Sequence, residues 1–596
     1  MQLQRHFAYY ATTSALLATL SGCGSMHMPS MPSMSLPSMS SLNPFGDSKP
    51  KASAPPFEVE VLAINDLHGH LEPTPFRIPD PDHPGQMRTI MAGGIPALGT
   101  LVAQERARTP DFVFVGVGDL IGASPLLSAL WRDEPTVDAM NGMGMAFSSV
   151  GNHEFDQGKD ELQRMQRGGC GSNRPQKACK FARRYAGAKY TWLAANVIED
   201  RTDKPLLPAY AIREFQGVKI GFVAAVLEDT PRVVVPSGVV GLRFEDEADS
   251  INRIVTRLKG MGVNSVVALI HQGGETPDHF AVQDCSTLRG DIVGITRRLD
   301  PAVVAVLSGH THQGYNCRVN NTVVTQADAY GHLATRLTLS VDKASASVVG
   351  VKANNLVVDA TALAPDPAMQ KILDRAREIT EPVIKQPVAQ LAVPQLTLDT
   401  PGGNDKGSGE STLGDVVADA QLAATRIYGA QIAITNRGGL RAPLPDHVPA
   451  IDNSVSWGDV TASQPFNNTL QVMTLSGAQL RTLLEQQWLR HTNAQFVLQI
   501  SNGFSYRWKA SAPVGNRVLD MKFEGKPVRA DGAYRIAVNN FLAEGGDGFV
   551  VLKEGTNRLA PGVLDSDALA DYLKASADRG KPAGWAQPQG RIVRVD

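Results

Sequence analysis

The stretch Gly151-Asn152-His153-Glu154-Phe155-Asp156 decides how this chain is interpreted, together with the apolar run Met145 to Val150 that precedes it. Six residues carry an amide, an imidazole and two carboxylates. A packed core does not need that density of ligand-type side chains, but a site that binds metal and moves phosphate does. Four other apolar runs end in similar polar clusters, so the question is whether the five clusters meet.

The five runs are predicted strands that alternate with helical patterns, which is typical of an α/β fold. In such sheets, ligands bind beyond the carboxyl ends of the strands. We therefore expect the polar clusters to converge. The strands and their clusters are Phe57 to Ile64 with Asn65-Asp66-Leu67-His68, Asp111 to Val117 with Gly118-Asp119, Phe147 to Val150 with Gly151-Asn152-His153, Val263 to Ile270 with His271, and Ala302 to Leu307 with Gly309-His310-Thr311-His312.

The side chains in these clusters indicate the kind of metal site. Aspartate, histidine and asparagine offer oxygen and imidazole ligands that suit Zn, Mn, Fe or Co. No cysteine lies among them, so a structural thiolate zinc site is not expected. Two ions about 4 Å apart would clamp a phosphate and lower the pKa of bound water toward about 7. We expect two divalent metal ions, with Zn, Mn or Co favoured.

The same clusters resemble those of the calcineurin-like metallophosphoesterases, in the order found in the 5′-nucleotidase and UDP-sugar hydrolase branch. The resemblance implies a four-layer α/β-β/α sandwich. It implies two metal-ligand sets that share Asp119: Asp66, His68, Asp119 and His312 for one ion, and Asp119, Asn152, His271 and His310 for the other. It also implies a catalytic dyad, in which His153 stabilises the transition state near the leaving oxygen and Asp156 orients its ring.

Four other polar residues in or near the clusters are expected to be structural. His70 is interpreted as a supporting or packing residue, and Thr311 as shaping the turn between two ligands. For Glu154 we favour a salt bridge or a helix-start charge. Ser124 could suggest a nucleophile, but no base is placed for it, so a helix cap is favoured.

The second half of the chain changes pattern. Residues 365–385 predict a helix that connects two domains, and an α+β mixture follows from about residue 386. Three segments there suit a ligand with a planar ring and an anion. Arg441 offers a bidentate fork for phosphate, and Phe466 and Phe541 offer two faces that can sandwich a base. The segments are Asn436 to Arg441, Pro465-Phe466-Asn467-Asn468, and Asn539 to Phe549.

These segments resemble the substrate-specificity domain of 5′-nucleotidases. The resemblance implies base stacking between Phe466 and Phe541, phosphate contact from Arg441, Asn436 near the base or phosphate, and ribose contact from Asp547. One departure concerns an arginine that many family members carry just before the helix that starts near Leu413; here that place reads Ser408-Gly409-Glu410-Ser411-Thr412. Arg437 is the candidate substitute. The departure leaves substrate preference open more than reaction type.

The first residues predict export and anchoring. Arg5 and His6 precede the apolar run Phe7 to Leu20, which is too short for a membrane span and typical of a signal peptide. The box ending at Cys23 resembles that of bacterial lipoproteins, which implies removal of residues 1–22 and lipidation of Cys23. The alternative is an ordinary signal peptide with a chance cysteine. Gly24, in place of aspartate, favours the outer over the inner membrane in a Gram-negative host.

Four further cysteines suit an exported chain, since an even number suggests two disulfides. Cys170 and Cys179 lie in a short polar insertion, and Cys285 and Cys317 follow two of the ligand clusters. Four cysteines allow three pairings. The sequence leaves the choice among them open.

The predicted organisation has five parts: a signal peptide 1–22, a Met/Pro/Ser-rich tether 23–56, a dimetal domain 57–360, a helical connector 361–385 and a substrate domain 386–596. A net charge of -2 gives no basic surface for a nucleic-acid polymer, and no specific protein partner is indicated. We expect a lipid-anchored nucleotidase that faces the periplasm or the cell surface and serves nucleotide salvage. The alternatives are a 2′,3′-cyclic nucleotide phosphodiesterase with 3′-nucleotidase activity, a UDP-sugar hydrolase, and a non-catalytic nucleotide-binding lipoprotein, against which the dyad argues.

Overall fold

The computed structural model describes residues 55–596 except 81, 84, 176, 400–406, 447–451, 467 and 490–496, and for Pro236 the backbone alone. The predicted signal peptide, Cys23 and all but the last two residues of the tether lie outside the described residues. No helix in the described ranges is long and apolar enough to cross a membrane. Residues Ala54–Asp596 form one compact unit.

The first half of this unit contains two six-stranded sheets. Its strands are β1 Phe57–Ile64, β2 Pro73–Pro79, β3 Met87–Gly93, β4 Phe112–Val117, β5 Phe147–Ser149, β6 Thr191–Leu193, β7 Val197–Glu199, β8 Lys204–Pro205, β9 Tyr210–Phe215, β10 Val218–Val226, β11 Leu242–Phe244, β12 Ser265–His271, β13 Val303–Ser308, β14 Gly314–Val319, β15 Thr322–Ala327, β16 Leu333–Asp342 and β17 Ser347–Val357. Its helices are α1 Ile95–Arg108, α2 Leu126–Ala129, α3 Glu134–Met143, α4 Lys159–Arg167, α5 Thr230–Val233, α6 Glu247–Lys259, α7 Asp291–Arg298 and α8 Pro367–Ile384.

The two sheets pack face to face with helices outside them. The strand orders are β17-β16-β1-β4-β5-β6 and β14-β15-β13-β12-β10-β9. One apolar cluster joins inward side chains of both sheets, such as Val115 and Leu269, and separate clusters lie under the helices on each outer face. The central strands are almost continuously apolar because both of their faces are covered. The expected four-layer sandwich is confirmed, and the predicted strand bounds agree within two residues.

The carboxyl ends of the parallel strands meet at one edge. Strands β1, β4, β5 and β6 run parallel in one sheet, and β10, β12, β13 and β15 in the other. All five predicted clusters therefore follow strands that end on the same side of the sandwich. In the described residues, disulfides join Cys170 to Cys179 and Cys285 to Cys317, which is one of the three possible pairings.

The second half is built around a five-stranded and a four-stranded sheet, in the orders β22-β19-β26-β21-β27 and β25-β24-β23-β28. Its strands are β18 Pro387–Gln390, β19 Ile432–Thr435, β20 Ser454–Ser456, β21 Leu470–Ser476, β22 Gln499–Ile500, β23 Phe504–Trp508, β24 Val518–Phe523, β25 Lys526–Pro527, β26 Ala533–Asn539, β27 Thr556–Leu559 and β28 Ile592–Arg594. Its helices are α9 Thr412–Thr425, α10 Trp457–Ser463, α11 Gly477–Gln486, α12 Asn540–Ala543 and α13 Asp565–Asp578.

Helix α8 links the halves, as the pattern of residues 365–385 predicts. Asp366 caps it by accepting hydrogen bonds from the backbone N–H groups of Ala368 and Met369. The helix contacts α1, α2 and α3 of the first half and α10 of the second. A hydrogen bond from Trp131 Nε1 to Thr380 Oγ1 (2.7 Å) also fixes it to the first half.

Candidate metal and nucleotide site

The structure brings the predicted metal ligands together at the shared edge of the two sheets. Ligand atoms of Asp66, His68 and His312 lie within 4.8 Å of one another, and so do those of Asp119, His271 and His310. Each group contains three of the four members of one predicted ligand set.

Asp119 lies between the two groups, as a bridging ligand must. Its Oδ2 is 3.0 Å from His271 Nε2 in one group and 3.8 Å from His68 Nε2 in the other. In the first group, the Nε2 atoms of His68 and His312 are 3.0 Å apart. Convergence of two imidazole nitrogens and shared carboxylate oxygens on small volumes is the arrangement that divalent cations require.

The hydrogen bonds around the histidines leave the correct nitrogen facing inward. His68 Nδ1 lies 2.8 Å from the carbonyl oxygen of Gly122, and His271 Nδ1 lies 2.7 Å from that of Val117. Each Nδ1 must therefore carry the proton and donate it, which leaves Nε2 as the ligand atom. Asn152 Oδ1 is buried and accepts no hydrogen bond. An unsatisfied buried oxygen is costly unless a cation occupies the space before it. The residues present fit two divalent ions.

The backbone of this edge is unusual. Five of the seven predicted ligands have a positive φ: Asp66 (49°), His68 (46°), Asp119 (49°), His310 (76°) and His312 (51°). Residues other than glycine rarely adopt this left-handed backbone conformation, and each instance costs on the order of 1–3 kcal/mol. The tight turns after the strands direct the ligands inward, and the stability of the surrounding fold offsets the backbone strain.

The electrostatics of this edge favour positive charge. Burial lowers the pKa of His271, but the carboxylates of Asp119 and Asp66 outweigh burial and raise that pKa to about 10. In contrast, burial and the neighbouring His271 lower the pKa of His310 to about 4. The buried carboxylates of Asp66 and Asp119 therefore favour cationic charge at this edge, as a site that holds metal ions requires.

The two residues of the predicted dyad lie within hydrogen-bond distance of each other, beside the predicted metal ligands. His153 Nδ1 lies 2.7 Å from Asp156 Oδ2, and both side chains are 13% exposed. The backbone N–H of His153 donates to Asp119 Oδ1 (2.8 Å), which ties the dyad to the bridging carboxylate. Burial lowers the pKa of His153, but Asp156 and Asp119 outweigh it and raise the pKa above its usual value. With Nδ1 engaged, Nε2 is the nitrogen left for a substrate.

Glu154 has one of its two expected roles and a further one. It is 3% exposed. Its carboxylate accepts hydrogen bonds from the backbone N–H groups of Gly151 (2.6 Å), Asp119 (2.8 Å) and Leu120 (2.9 Å). Within the described residues Glu154 forms no salt bridge, but it lies in the first turn of the short 3-10 helix His153–Phe155, so the helix-start charge is the expected role that the structure shows. Glu154 also fixes the turn that carries Asp119 against the turn that carries Asn152 and His153.

A cavity of about 180 Å³ joins this edge to the second half of the chain. Residues from both halves line it, including Asn152, His153, Asp156 and His310 from the first and Asn436, Arg441, Phe466, Phe541 and Asp547 from the second. The Phe466 ring is stacked 5.8 Å from the His153 ring at an interplanar angle of 16°. The structure thus brings five of the six predicted substrate-binding residues to the dyad.

Short turns hold the residues of the second half in place. Asn436 Nδ2 donates to Asp547 Oδ2 (2.8 Å), and Asn539 Nδ2 donates to Asn436 Oδ1 (3.2 Å). Gly546 allows the Phe541 ring to lie directly on the backbone, because a Cβ at this glycine would come within 2.5 Å of the ring. Arg441 places its guanidinium 5.8 Å from the centre of the Phe466 ring.

Arg437, the sixth predicted residue, is not among the described residues that line the cavity. Its Nη1 donates to the carbonyl oxygen of Leu440 (3.1 Å). The place of the family arginine is taken by Glu410, which accepts hydrogen bonds from the backbone N–H groups of Arg591 (3.1 Å) and Ile592 (2.9 Å). The structure does not support Arg437 as a substitute cation.

Three other predictions have mixed outcomes. The His70 ring stacks on Tyr330 (4.0 Å, 28°), in keeping with the packing role expected. Thr311 Oγ1 donates to the carbonyl oxygen of Gly274 (2.8 Å) and so shapes its turn. The cap predicted for Ser124 is wrong, because α2 is capped at Pro125 without a side-chain hydrogen bond. The sequence did not point to Tyr330, the stacking partner of His70, because no ligand cluster lies next to it in the chain; its φ is 57°.

Comparison with known proteins gives a consistent result. Residues 59–314 match the family model of calcineurin-like phosphoesterases, and residues 387–554 match that of the 5′-nucleotidase C-terminal domain. The chain is 31% identical to the cell wall protein Lmo0130 of Listeria monocytogenes over 575 residues, which cover 92% of this chain and 71% of that protein.

Two further similarities extend the comparison. The chain is 30% identical to the endonuclease YhcR of Bacillus subtilis over 498 residues, which cover 83% of this chain but only 38% of that longer protein. The solved structure of a 5′-nucleotidase precursor from Thermus thermophilus superposes with a TM-score of 0.70 at 26% identity, covering 91% of this chain and 100% of that chain.

Proposed function

The chain belongs to the 5′-nucleotidase family of calcineurin-like metallophosphoesterases, which are metal-dependent phosphoester hydrolases, and we propose that it removes the phosphate group from nucleotides. The observation that carries this proposal is the shared cavity. It places His153 and the Asn152 and His310 side chains on one wall and two phenylalanines with Arg441 on another. A nucleoside monophosphate has a phosphate at one end and a planar base at the other, and it matches that arrangement.

The two groups of converging ligands are the proposed metal sites. Asp66, His68, Asp119 and His312 would hold one ion, and Asp119, Asn152, His271 and His310 would hold the other. Two divalent ions, when bound, would neutralise the charge of the phosphate and lower the pKa of the attacking water. The sequence and the structure suit Zn, Mn and Co alike.

The remaining residues divide the work on the substrate. His153 presents Nε2 to the leaving oxygen and stabilises the charge that develops there, while Asp156 fixes its ring. Phe466 and Phe541 hold the base between them, and Arg441 contacts the phosphate. Asp547 and Asn436, already joined by a hydrogen bond, contact the ribose and the base or phosphate. Asp119 positions His153 by accepting a hydrogen bond from the backbone N–H of His153.

A second candidate is a diesterase, which would act on 2′,3′-cyclic nucleotides or UDP-sugars. One observation favours it: Arg441 is the sole arginine or lysine among the described residues that line the cavity. A phosphodiester carries one negative charge and a monoester close to two, so a cavity with one such cation discriminates less strongly between them. The same residues at the sheet edge serve both reactions.

The proposed location is outside the cytoplasm, anchored through a lipid on Cys23. The relative from Listeria is described as a cell wall protein, and two disulfides suit an oxidising compartment. The division into a dimetal domain 57–360, a connector 361–385 and a substrate domain 386–596 is part of the same proposal.

The test is a substrate panel with purified protein after metal removal and readdition. AMP, ADP, UDP-glucose and 2′,3′-cyclic AMP would be compared by their kcat/KM values for phosphate or product release. The proposal expects AMP to be the preferred substrate and turnover to depend on added metal. A kcat/KM for 2′,3′-cyclic AMP or UDP-glucose well above that for AMP would favour the diesterase. No hydrolysis of any of these compounds would reject both.

A further inference from the structure

A second cavity shares the lining residue Asp547 with the first. Its volume is about 320 Å³, and Asp547 lines both cavities. Its walls come from helix α5 of the first half and, in the second half, from the end of α11 with the turn after it and from the turns after β26. Lining residues include Pro231, Arg232, Leu489, Gly545, Val550 and Lys553. The volume lies within the range of small-molecule sites, roughly 300–1,000 Å³.

Two cations, Arg232 and Lys553, and two carboxylates, Glu544 and Asp547, line this cavity. The carboxylates accept hydrogen bonds from the Ser237 backbone N–H (2.9 Å) and from Asn436 Nδ2 (2.8 Å), respectively. Lys553 is exposed and has no hydrogen-bond or ion-pair partner in the described part of the chain. Its side-chain stem lies along Gly545, where a Cβ would come within 2.6 Å of Lys553 Cε. Arg232 pairs with Asp229 at 3.0 Å, but both side chains are largely exposed. An exposed ion pair contributes little to stability, so a bound anion can also contact the Arg232 guanidinium.

The rest of the wall offers apolar surface. Val550 is 53% exposed and Leu489 is 64% exposed, and both are among the large apolar side chains that solvent reaches. Pro231 lies across from them on α5. Exposed apolar side chains beside two cations suit a ligand that combines a phosphate with a flat ring.

The position of Asp547 gives the direction of the ligand. If the base lies between Phe466 and Phe541 with its 5′-phosphate at the sheet edge, the ribose lies at Asp547. The 3′-oxygen then leads toward the second cavity. This step rests on the proposed function, because it takes the nucleoside orientation from it.

We propose that the second cavity binds the next nucleotide of a short 5′-phosphorylated oligonucleotide. Arg232 and Lys553 contact the 3′-linked phosphate, and Val550 and Leu489 contact the second nucleoside. The reaction is the hydrolysis proposed above. Water adds to the terminal 5′-phosphorus, the bond between phosphorus and the 5′-oxygen breaks, and that oxygen leaves as a hydroxyl group on the shortened product.

The first test measures binding without turnover. Isothermal titration calorimetry would compare adenosine, 3′-AMP and the dinucleoside monophosphate ApA on the metal-loaded protein and on two charge reversals, Lys553→Glu and Lys526→Glu. Lys526, on strand β25, is also exposed but does not line the cavity, so it is the matched control. We expect ApA to bind about tenfold more tightly than adenosine, and Lys553→Glu alone to weaken ApA about fivefold.

The second test measures turnover. Release of phosphate from pApA, with ApA identified by mass spectrometry, would be compared with release from AMP. Lys553→Glu should lower kcat/KM for pApA about fivefold and leave that for AMP unchanged.

Three results would overturn the subsite: ApA binding no better than adenosine, 3′-AMP binding as tightly as ApA, or Lys553→Glu and Lys526→Glu behaving alike. If AMP and pApA are not hydrolysed while ApA still binds in a Lys553-dependent way, the subsite stands and the proposed function fails.

Discussion

Two regions of the molecule are built in different ways: the edge of the two sheets that carries the predicted metal ligands, here the metal edge, and the part of the 180 Å³ cavity lined by the second half, here the nucleoside cavity. At the metal edge, ligands follow strands, sit on turns of positive φ and are held by backbone groups, as with His271 against Val117. In the nucleoside cavity, side chains such as Phe541 and Asp547 stand on short helical turns and are held by side-chain contacts, as with Asn436 on Asp547. The first region is over-determined by the fold, while the second can change with few substitutions. We therefore expect substitutions to leave the reaction type unchanged and to alter the choice of substrate more readily.

The largest effect is expected at the metal edge. Asn152→Ala or His271→Ala removes a ligand from a buried set, so phosphate release from AMP should fall by about 10³-fold or more. Thermal unfolding should remain cooperative, because the strands that carry these residues are covered on both faces. Ser124→Ala, close by but outside both ligand sets, is the control and should behave like the wild type. Wild-type turnover in either ligand variant would remove the dimetal mechanism.

The dyad should show the next largest effect. His153→Ala removes the group proposed to act at the leaving oxygen, which is worth about 10²–10⁴-fold in kcat. Bound metal, measured by mass spectrometry, should be unchanged, since neither proposed ligand set includes His153. A loss of metal together with activity would instead place His153 among the ligands.

In the nucleoside cavity the loss should depend on the substrate. Phe541→Ala removes one stacking face, worth on the order of 1–3 kcal/mol, or about five- to 150-fold in kcat/KM for AMP. Hydrolysis of p-nitrophenyl phosphate, which lacks a nucleobase, should change little. An equal loss on both substrates would mean that Phe541 supports the metal edge rather than the base.

The smallest expected changes in kcat/KM distinguish the roles of two arginines, Arg441 and Arg437. Arg441→Ala should lower kcat/KM for AMP about tenfold, because a charge-assisted contact with the phosphate is lost. Arg437→Ala should change kcat/KM less than twofold, since its guanidinium bonds to Leu440 outside the cavity. Equal losses in the two variants would show that Arg437 does replace the arginine absent near Leu413.

The same contrast explains what the sequence could predict. Ligands at strand ends follow from local pattern, since each apolar run is next to its own polar cluster, and the sheet brings the clusters together. The further role of Glu154 could not be predicted, because its partners Asp119 and Leu120 lie more than thirty residues earlier. The placement of Arg437 was missed for a related reason. Arg437 and Arg441 are four residues apart in sequence. Among the described residues only Arg441 lines the cavity, while Arg437 donates to the carbonyl oxygen of Leu440.

The central claim is that two divalent ions at the metal edge are required for nucleotide hydrolysis. The direct measurement is a titration of metal-depleted protein with Mn²⁺, in which bound metal per chain and AMP hydrolysis are followed together. The account predicts that hydrolysis returns as the second equivalent binds, and that Asn152→Ala holds fewer than two equivalents. Full hydrolysis with one equivalent or none would contradict it.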